Sequence, residues 1–235
     1  MYQRVVLKVS GEYLGEAGIG LSKPKIEAFA QQIVAIQKLG VALALVLGGG
    51  NIFRGHTYNH RNSGFKRTDA DQMGMLATAI NALALRSILA QQGVSATIQS
   101  SIKIEGIAER FSVTNSEAAL RDGKVVLFCC GTGNPFFSTD SAAALRACEL
   151  QADILLKATN VDGVYDYDPK LHPEAKKFNH LTYSEVLQLG LCIMDMTAFI
   201  LCKENHIPIR IFNGHDEGAV VQAVQGQPIG TLIGE

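Results

Sequence analysis

The sequence has almost no net charge and few charged residues. Its 235 residues include 21 lysines and arginines against 22 aspartates and glutamates, which gives a formal net charge of -1 at pH 7. Charged residues make up only 18% of the chain. A protein that holds nucleic acid or a membrane surface by charge needs a basic field, and this composition excludes a global one. We therefore expect neither nucleic acid nor a membrane among its partners.

The sequence also lacks a metal-binding or disulfide pattern of cysteines. Its five cysteines are an odd number and no Cys-x-x-Cys occurs, so neither a zinc knuckle nor a disulfide framework is supported. Such cysteines are typical of buried, reduced thiols in a cytoplasmic protein. The first eight residues carry charge inside an apolar stretch, unlike a signal peptide, and no apolar run approaches the ~20 residues of a membrane span. We expect a cytoplasmic location.

Several familiar catalytic motifs are absent as well. The Gly-x-x-x-x-Gly-Lys-Ser/Thr loop, a Gly-x-Gly-x-x-Gly turn after a strand, and the protein kinase motif set do not occur. No serine and histidine stand in a nucleophile-elbow pattern, which argues against acyl transfer. The sequence has no internal repeat, low-complexity tract or linker. Residues 1–235 are therefore predicted to form a single domain.

What the sequence does contain is a regular alternation of apolar runs and helical patterns. Hydrophobic residues make up 47% of the chain, enough for a sizeable core. The alternation predicts an α/β fold, with a mainly parallel central sheet covered by helices on both faces. Strands are predicted over 4–10, 41–47, 94–98, 124–130, 152–158, 207–212 and 231–233. Helices are predicted over 22–40, 69–92, 114–123, 140–150, 182–189, 195–205 and 216–224.

Local patterns predict which helix residues are buried and which cap the ends. Thr114 and Glu117 form the pattern of a capping box, and Asp140 and Asp195 are the predicted caps of their helices. The core positions predicted for the long helix over 69–92 are Met73, Leu76, Ile80, Leu83, Ile88 and Leu89.

Three predicted strands end in glycine-rich stretches, which begin at Gly11, Gly48 and Gly131. Backbone N–H groups at a strand-to-helix junction lack internal partners, and the helix dipole favours an anion there. The stretch 131–145 is therefore a candidate phosphate cradle, with a tight turn and an N-cap as the simpler alternative.

Cationic residues accompany these strand ends. Lys8 and Lys157 lie near the ends of two predicted strands, and Arg54 follows the second glycine cluster. Lysine is rarely buried without a partner, although a lysine on an edge strand can reach solvent. The planar fork of arginine suits phosphate, and ligands of open α/β sheets bind at the carboxyl ends of strands. Together these residues suit phosphoryl transfer, in which the enzyme mainly positions groups and neutralises charge.

Other features have two interpretations. Asp71, in the first turn of the long helix, either complements the helix dipole or binds sugar hydroxyls. The turn-rich stretch 160–168 either walls an adenine and contacts its ribose or forms a surface hairpin. His56 and His60 are four residues apart, but their stretch has few helix formers and no accompanying glutamate. We therefore predict no zinc site there and assign no metal ligands.

Seven segments carry a more specific pattern. They read LKVSGE at 7–12, GGGNIFRG at 48–55, DQMGMLAT at 71–78, GTGNPFFSTD at 131–140, LKATNVDGVY at 156–165, LTYSEV at 181–186 and PIRIFN at 208–213. Together they resemble the bacterial uridylate (UMP) kinases of the amino acid kinase family over nearly the whole chain. The first two segments are shared by relatives that phosphorylate other acids, whereas those at Asp71 and Gly131 are narrower and select the uridylate branch.

The resemblance implies that ATP and UMP react to give ADP and UDP with Mg²⁺, in pyrimidine nucleotide biosynthesis. Lys8 would contact the transferred phosphoryl group, Asp140 would orient Lys8 or the metal, and Arg54 would lie near the reacting phosphates. Asp195 would help to organise the catalytic centre. The implied ATP-binding residues are Lys8, Val9, Ser10, Gly11, Gly50, Arg54, Lys157, Thr159, Tyr165 and Asp168. The implied UMP-binding residues are Gly49, Asp71 (at the ribose), Thr132, Gly133, Asn134, Pro135, Phe136, Phe137, Ser138 and Thr139.

The sequence departs from the family pattern at a few positions. Ser138 stands where relatives often have threonine, and Asn160 stands where some have lysine, which would remove a charge on the donor side. The loop 15–20 matches the region linked to GTP activation only loosely. The resemblance also implies a homohexamer inhibited by UTP. The alternatives are a family member that phosphorylates an amino acid or a carbamate, and a catalytically silent nucleotide- or oxyanion-binding protein on the same fold.

Overall fold

The apolar runs predicted as strands pair at the centre of the protein. A computed structural model describes residues 1–16, 20–54, 64–169 and 171–235, so His56, His60 and part of the loop 15–20 lie outside the described residues. The strands are β1 Arg4–Val9, β2 Gly15–Glu16, β3 Gly20–Leu21, β4 Ala42–Leu47, β5 Ala96–Ser100, β6 Glu109–Arg110, β7 Val125–Cys129, β8 Ile154–Thr159, β9 Val164–Tyr165, β10 Lys177–Phe178, β11 His180–Leu181, β12 Ile209–Asn213 and β13 Thr231–Ile233.

Nine strands form one sheet, in the order β11-β13-β12-β8-β1-β4-β7-β5-β6. Strands β12 and β13 pair antiparallel, and the other neighbours in this sheet pair parallel. Two small antiparallel pairs, β2 with β3 and β9 with β10, stand apart from it. The predicted mainly parallel sheet is confirmed, and β1 lies at its middle between β8 and β4.

Helices cover both faces of the sheet, as predicted. They are α1 Lys23–Gln37, α2 Arg67–Gln91, α3 Val113–Arg121, α4 Thr139–Glu149, α5 Tyr183–Gln188, α6 Met196–Glu204 and α7 Ala219–Val224. Because successive side chains of a strand point to opposite faces, Val5, Leu7 and Val9 of β1 pack with α1, α2 and α7. Val6 packs on the other face, with the cluster that includes α3, α4, α5 and α6.

The predicted core face of α2 is partly wrong. Ile88 and Leu89 are buried, but Leu76 and Ile80 are 49% and 45% exposed. The sheet is covered instead by a neighbouring row of the helix, formed by Met75, Ala79, Ala82, Leu85, Ile88 and Leu89. Both rows have helical spacing, and the larger side chains of the exposed row made it the stronger pattern. The helix therefore presents a second, apolar face to solvent.

Helix α2 also tests the expectation about membrane spans. By length and composition it could cross a membrane, with a mean hydropathy of 1.5 over its most apolar window. Half of that window is buried inside the protein, where the helix packs along β5 and β7. A core helix can be as long and as apolar as a membrane span because its apolar residues face the sheet. The sequence shows no continuous apolar run in α2 because polar residues interrupt it.

Two predicted caps are replaced by nearby serines. Helix α3 begins after Ser112, whose hydroxyl accepts from the Asn115 N–H, so the predicted capping box at Thr114 is wrong. Helix α4 begins after Ser138, whose Oγ accepts from the N–H groups of Asp140 and Ser141, so Asp140 is not the cap. The predicted cap of α6 is confirmed, since Asp195 accepts from the Ala198 N–H.

Helix α4 packs on the sheet through small side chains. Four alanines of this helix, Ala142, Ala143, Ala144 and Ala147, are buried on the face that meets β1, β4 and β8. Its first turn begins where β7 and the following loop end. This packing brings the amino end of α4 to the carboxyl ends of the central strands.

Candidate active site

Two lysines stand side by side at the centre of the sheet. Strands β1 and β8 pair in parallel with Lys8 opposite Lys157. Alternation along the strands puts both on the face that also carries Val6 and Leu155, which is the face covered by α4. Their side chains are only 16% and 12% exposed. The sequence predicted lysines at strand ends, but the strand pairing is what makes them neighbours.

Asp140, in the first turn of α4, binds both lysines. Its Oδ1 lies 3.1 Å from Lys8 Nζ, and its Oδ2 lies 2.6 Å from Lys157 Nζ. Lys157 also donates to the Ile193 carbonyl at 2.7 Å. The three charged groups, Lys8, Asp140 and Lys157, are called the lysine–aspartate triad below. It carries a net positive charge, as a site for phosphate requires.

Burial and charge act in opposite directions on the triad. Burial alone would raise the pKa of Asp140, but Lys8 and Lys157 together hold that pKa below its ordinary value. Burial lowers the pKa of Lys157, only partly offset by its bond to Asp140, and the charge of Lys8 lowers it further. The carboxylate is therefore ionised at neutral pH.

Asp195 joins the amino ends of two helices beside the triad. Its carboxylate accepts hydrogen bonds from the Ser138 hydroxyl and, at 2.9 Å, from the Ser141 hydroxyl, and it caps α6. Its negative charge also opposes the lowering of the Lys157 pKa that burial causes. The position suits a residue that organises the centre, and the catalytic role implied for Asp195 stays a prediction.

A cavity of about 360 Å³ lies on one side of the triad. Seven of the residues implied to bind UMP line it: Gly49, Asp71, Thr132, Phe136, Phe137, Ser138 and Thr139. Gly50 and Arg54, which were implied for ATP, line it as well. Sequence reasoning missed Arg67, Gly74, Met75 and Thr78, which also line it. A Cβ on Gly49 would lie 2.8 Å from the Gly74 carbonyl oxygen, so glycine is needed for the loop to approach α2 this closely. We call this the acceptor cavity.

Arg67 and Asp71 form a pair at the wall of the acceptor cavity. Arg67 Nε lies 2.8 Å from Asp71 Oδ2, one helical turn away. The same oxygen accepts from the Phe136 N–H at 2.9 Å, and the Arg67 guanidinium lies 5.3 Å from the Phe136 ring centre. Phe136 has a φ of 73°, a conformation that side chains other than glycine rarely adopt. Asp71 thus fixes the loop of the acceptor cavity, a role that its predicted place in the first helical turn did not indicate. Helix α2 begins at Arg67, so its first turn contains Asp69 instead.

A buried arginine supports the same loop from behind. Arg146 of α4 donates to Ser101 Oγ at 2.9 Å, and that hydroxyl donates to the Gly131 carbonyl at 2.6 Å. The guanidinium also lies 3.4 Å from the centre of the Phe111 ring. The sequence marks Arg146 only as a charge on a predicted helix, so its role was missed. The loop 131–138 is therefore held at both ends.

A second cavity, of about 540 Å³, lies on the other side of the triad. Lys157, Thr159, Tyr165 and Asp168 line it, as the resemblance implied for the ATP site. Strand β9, in the turn-rich stretch 160–168, pairs with β10, which lies beyond that stretch in the chain. Strand β9 and the residues 166–169 after it line the cavity. The apolar wall formed by Leu189, Leu191 and Ile193 was missed, because it comes from the loop between α5 and α6. We call this the donor cavity.

The remaining implied site residues lie between or beside the two cavities. Lys8 belongs to the triad itself. Val9, the last residue of β1, is fully buried, so only its backbone can serve a ligand. Ser10 and Gly11 form the turn after β1, where Ser10 Oγ accepts from the Glu12 N–H. Gly133, Asn134 and Pro135 belong to the loop 131–138 but are not among the residues that line the acceptor cavity.

The arrangement suits group transfer between two bound anions. Lys157 lines the donor cavity, and Asp140 directly follows Thr139, which lines the acceptor cavity. The triad therefore stands at the junction, where a group passing from one cavity to the other meets two ammonium groups. Ammonium groups placed where charge develops are the main catalytic device of phosphoryl transfer.

The described residues do not form a metal site of their own. Among residues 1–16, 20–54, 64–169 and 171–235, no group of three histidine, cysteine, aspartate or glutamate side chains could hold a metal ion. Both oxygens of Asp140 face lysines.

Comparisons with known proteins agree with this geometry. The model of the amino acid kinase family matches residues 3–213. The uridylate kinase of Magnetococcus marinus is 50% identical over 234 residues, which are 99% of this chain and 96% of that protein. The crystal structure of the UMP kinase from Bacillus anthracis superposes with a TM-score of 0.94 at 35% identity, over 99% of this chain and 96% of that one. The UMP kinase from Ureaplasma parvum gives a TM-score of 0.93 at 38% identity, over 100% of both chains.

Proposed function

The chain belongs to the amino acid kinase family, and we propose that it is an enzyme that transfers the γ-phosphoryl group of ATP to UMP, giving ADP and UDP. The observation that carries the proposal is the lysine–aspartate triad at the junction of two cavities. Relatives that are full-length matches and are named uridylate kinases specify UMP as the acceptor. The donor cavity takes ATP and the acceptor cavity takes UMP.

The reaction needs positioning more than proton transfer. An oxygen of the UMP phosphate attacks the γ-phosphorus, and the bond from that phosphorus to the oxygen bridging to the β-phosphate breaks. The second pKa of a phosphate monoester is ~6, so the nucleophile is mostly ionised at neutral pH and no general base is required. Lys8 neutralises the transferred group, Asp140 holds Lys8 in place, and Lys157 serves the leaving phosphates. Mg²⁺ enters as part of the ATP substrate and offsets phosphate charge.

We assign the binding roles as the resemblance implied them. On the donor side, Thr159, Tyr165 and Asp168 hold the adenosine part, and the amides of 9–11 and Gly50 meet the phosphates. On the acceptor side, Asp71 holds the ribose, and Gly49 and the loop 132–139 hold the phosphate and uracil. Arg54 stands near the reacting phosphates, and Asp195 organises the centre. Thr159, Tyr165 and Asp168 line the donor cavity, whereas Gly49, Asp71 and most of the loop 132–139 line the acceptor cavity, which supports this division. Gly50 and Arg54 also line the acceptor cavity, so they would meet the phosphates from that side.

We further propose that the enzyme is a homo-oligomer, with the family's hexamer as the expected form. The exposed face of α2 supports an interface, because Leu76 and Ile80 would be covered by a second copy. Light scattering coupled to size exclusion should give a mass of several chains for the natural protein. Ile80→Glu should lower that mass, and a monomeric natural protein would contradict the proposal.

The setting of the enzyme follows from the same assignment. We place it in the cytoplasm, in pyrimidine nucleotide biosynthesis, as a single domain over 1–235. The five cysteines are free thiols, which suits a reducing compartment. GTP and UTP stay predicted effectors.

Initial rates test the proposed function directly. ADP release is measured with ATP and, in turn, UMP, CMP, glutamate, aspartate or carbamate, with and without GTP and UTP. We expect turnover with UMP. Turnover with an amino acid or carbamate and none with UMP would assign the chain to another branch of the family. Nucleotide binding without any turnover would identify a silent binding protein.

A further inference from the structure

A chain of polar contacts crosses the sheet along the carboxyl ends of four neighbouring strands. Arg54 follows β4, Glu12 follows β1, Asn160 follows β8 and His215 follows β12. In the sheet these strands are adjacent, in the order β12-β8-β1-β4. The four side chains contact one another in that same order. We call them the edge network.

Arg54 is held at two points. Its Nη2 forms an ion pair with Glu12 Oε1, and its Nε donates to the Gly50 carbonyl at 3.0 Å. Arg54 also lines the acceptor cavity. A guanidinium has five N–H donors, more than these two partners use, so it can stay anchored while it binds phosphate oxygens.

Glu12 is held in turn from the donor side. Asn160 Nδ2 donates to Glu12 Oε2 at 3.1 Å. The bond from Asn160, with the charge of Arg54, lowers the pKa of Glu12, so the carboxylate is ionised at neutral pH. Asn160 stands between Thr159 and Val161, both of which line the donor cavity. One carboxylate thus connects a side chain of the acceptor cavity with the loop of the donor cavity.

His215 completes the edge network. Its Nε2 lies 2.9 Å from Asn160 Oδ1, and its ring stacks on Tyr13 with centroids 4.3 Å apart and planes within 8°. Tyr13 donates to the Thr159 carbonyl at 2.8 Å. Asn160 is therefore fixed on both sides, with its amide nitrogen directed to Glu12 and its oxygen to His215.

The contact between Glu12 and Arg54 adds little to stability. The two side chains are 38% and 50% exposed, and water screens such ion pairs strongly. The ion pair with Glu12 instead restricts the conformation of the Arg54 side chain. A free arginine side chain carries about 2 kcal/mol of rotamer entropy, which corresponds to about 30-fold in rate if it must be lost only in the transition state.

We propose that Glu12, held by Asn160 and His215, is a positioning residue that fixes Arg54 for the transfer step. The proposal rests on the proposed function, because it assigns Glu12 an effect on the turnover of UMP. The Asn160 amide is a neutral donor, so it holds Glu12 without adding a charge to the donor side. The edge network also gives the donor loop a direct influence on the acceptor cavity.

A double-mutant cycle tests whether Glu12 acts through Arg54. Glu12→Ala should lower kcat by about 10- to 30-fold and change the KM for UMP by less than about threefold. In an Arg54→Ala background the same replacement should change kcat by less than about twofold. Glu12→Gln, which keeps an oxygen acceptor, should restore part of the loss. Asn160→Ala should have a smaller effect of about threefold, and it too should vanish without Arg54.

Two further comparisons keep the interpretation unambiguous. Glu27→Ala, which breaks an exposed ion pair with Lys23 on α1, should leave kcat unchanged. Equal losses from Glu12→Ala with and without Arg54, or no loss at all, would overturn the proposal in an active enzyme. A natural protein without UMP turnover would refute the proposed function separately. In that case the same single and double variants of Glu12 and Arg54 would be compared by their ATP affinity, measured by calorimetry. Additive effects of the two replacements on ATP affinity would then overturn the proposed coupling.

Discussion

Replacing Asp140 by asparagine removes the negative charge between Lys8 and Lys157 while keeping the size of the side chain. At the observed 3.1 Å, and with an effective dielectric constant of about 20, one ion pair has a Coulomb energy of about 5 kcal/mol before desolvation. Removing one partner of a buried pair typically costs about 3–5 kcal/mol, because the remaining charge stays buried. The Asp140 side chain is 14% exposed, so we expect a loss at the lower end, about 3 kcal/mol.

Urea unfolding followed by circular dichroism measures this loss. The matched control is Glu27→Gln on α1, where an exposed pair should contribute less than about 0.5 kcal/mol. Turnover of UMP should fall at least about 100-fold, because Lys8 loses the group that orients it. Added ATP should still stabilise the variant, since its phosphates give the two ammonium groups new partners. An unfolding free energy within about 1 kcal/mol of the natural protein, with normal turnover, would refute the role given to the triad.

Three other predictions use the same site. The pKa of Asp140 is lower in the folded than in the unfolded chain, so the ionised carboxylate contributes its full stabilisation of the fold above the ordinary aspartate pKa of ~3.9. This contribution is lost as the pH falls through the lowered pKa. Below about pH 4 the unfolding free energy of the natural protein should therefore fall more steeply than that of Asp140→Asn, and parallel curves would contradict this. Lys8→Ala should lower kcat by orders of magnitude with an unchanged circular dichroism spectrum, and near-normal turnover would remove Lys8 from the mechanism. Asp71→Asn should mainly raise the KM for UMP, because Asp71 also holds the Phe136 N–H at the acceptor cavity; a selective effect on the KM for ATP would show that Asp71 was assigned to the wrong nucleotide.

The fold was largely predictable because apolar runs and glycine stops mark strand and helix ends directly. Pairing was harder to predict. The sequence indicates that Lys8 and Lys157 end strands, but only the register between β1 and β8 makes them neighbours. The paired positions Leu7 and Leu156 are 149 residues apart in the chain. Over such a separation, local patterns carry no information on register.

Errors occurred where two local patterns competed. Ser112 and Thr114 are both good caps, and the chain uses the one that lets Ser116 donate to Gln99 in the sheet. Helix α2 has two apolar rows. The row with more alanine is buried because the helix lies close to the sheet, and the local sequence pattern does not indicate that distance. Arg146 was missed as a site residue because an arginine on a predicted helix is most often a solvated surface charge. Arg67 was missed because the helix was predicted to begin at residue 69, whereas α2 begins at Arg67.

The alanines of α4 have a consequence for the chemistry. Because Ala142, Ala143, Ala144 and Ala147 are small, the helix axis can lie close to the strands that carry the lysines. The separation of the charges is therefore set by side-chain volumes in the interior, among residues that no substrate touches. A methyl group acts here as a spacer, and a larger side chain would move a carboxylate away from two ammonium groups. In this enzyme the dimensions of the catalytic centre are a property of the hydrophobic core.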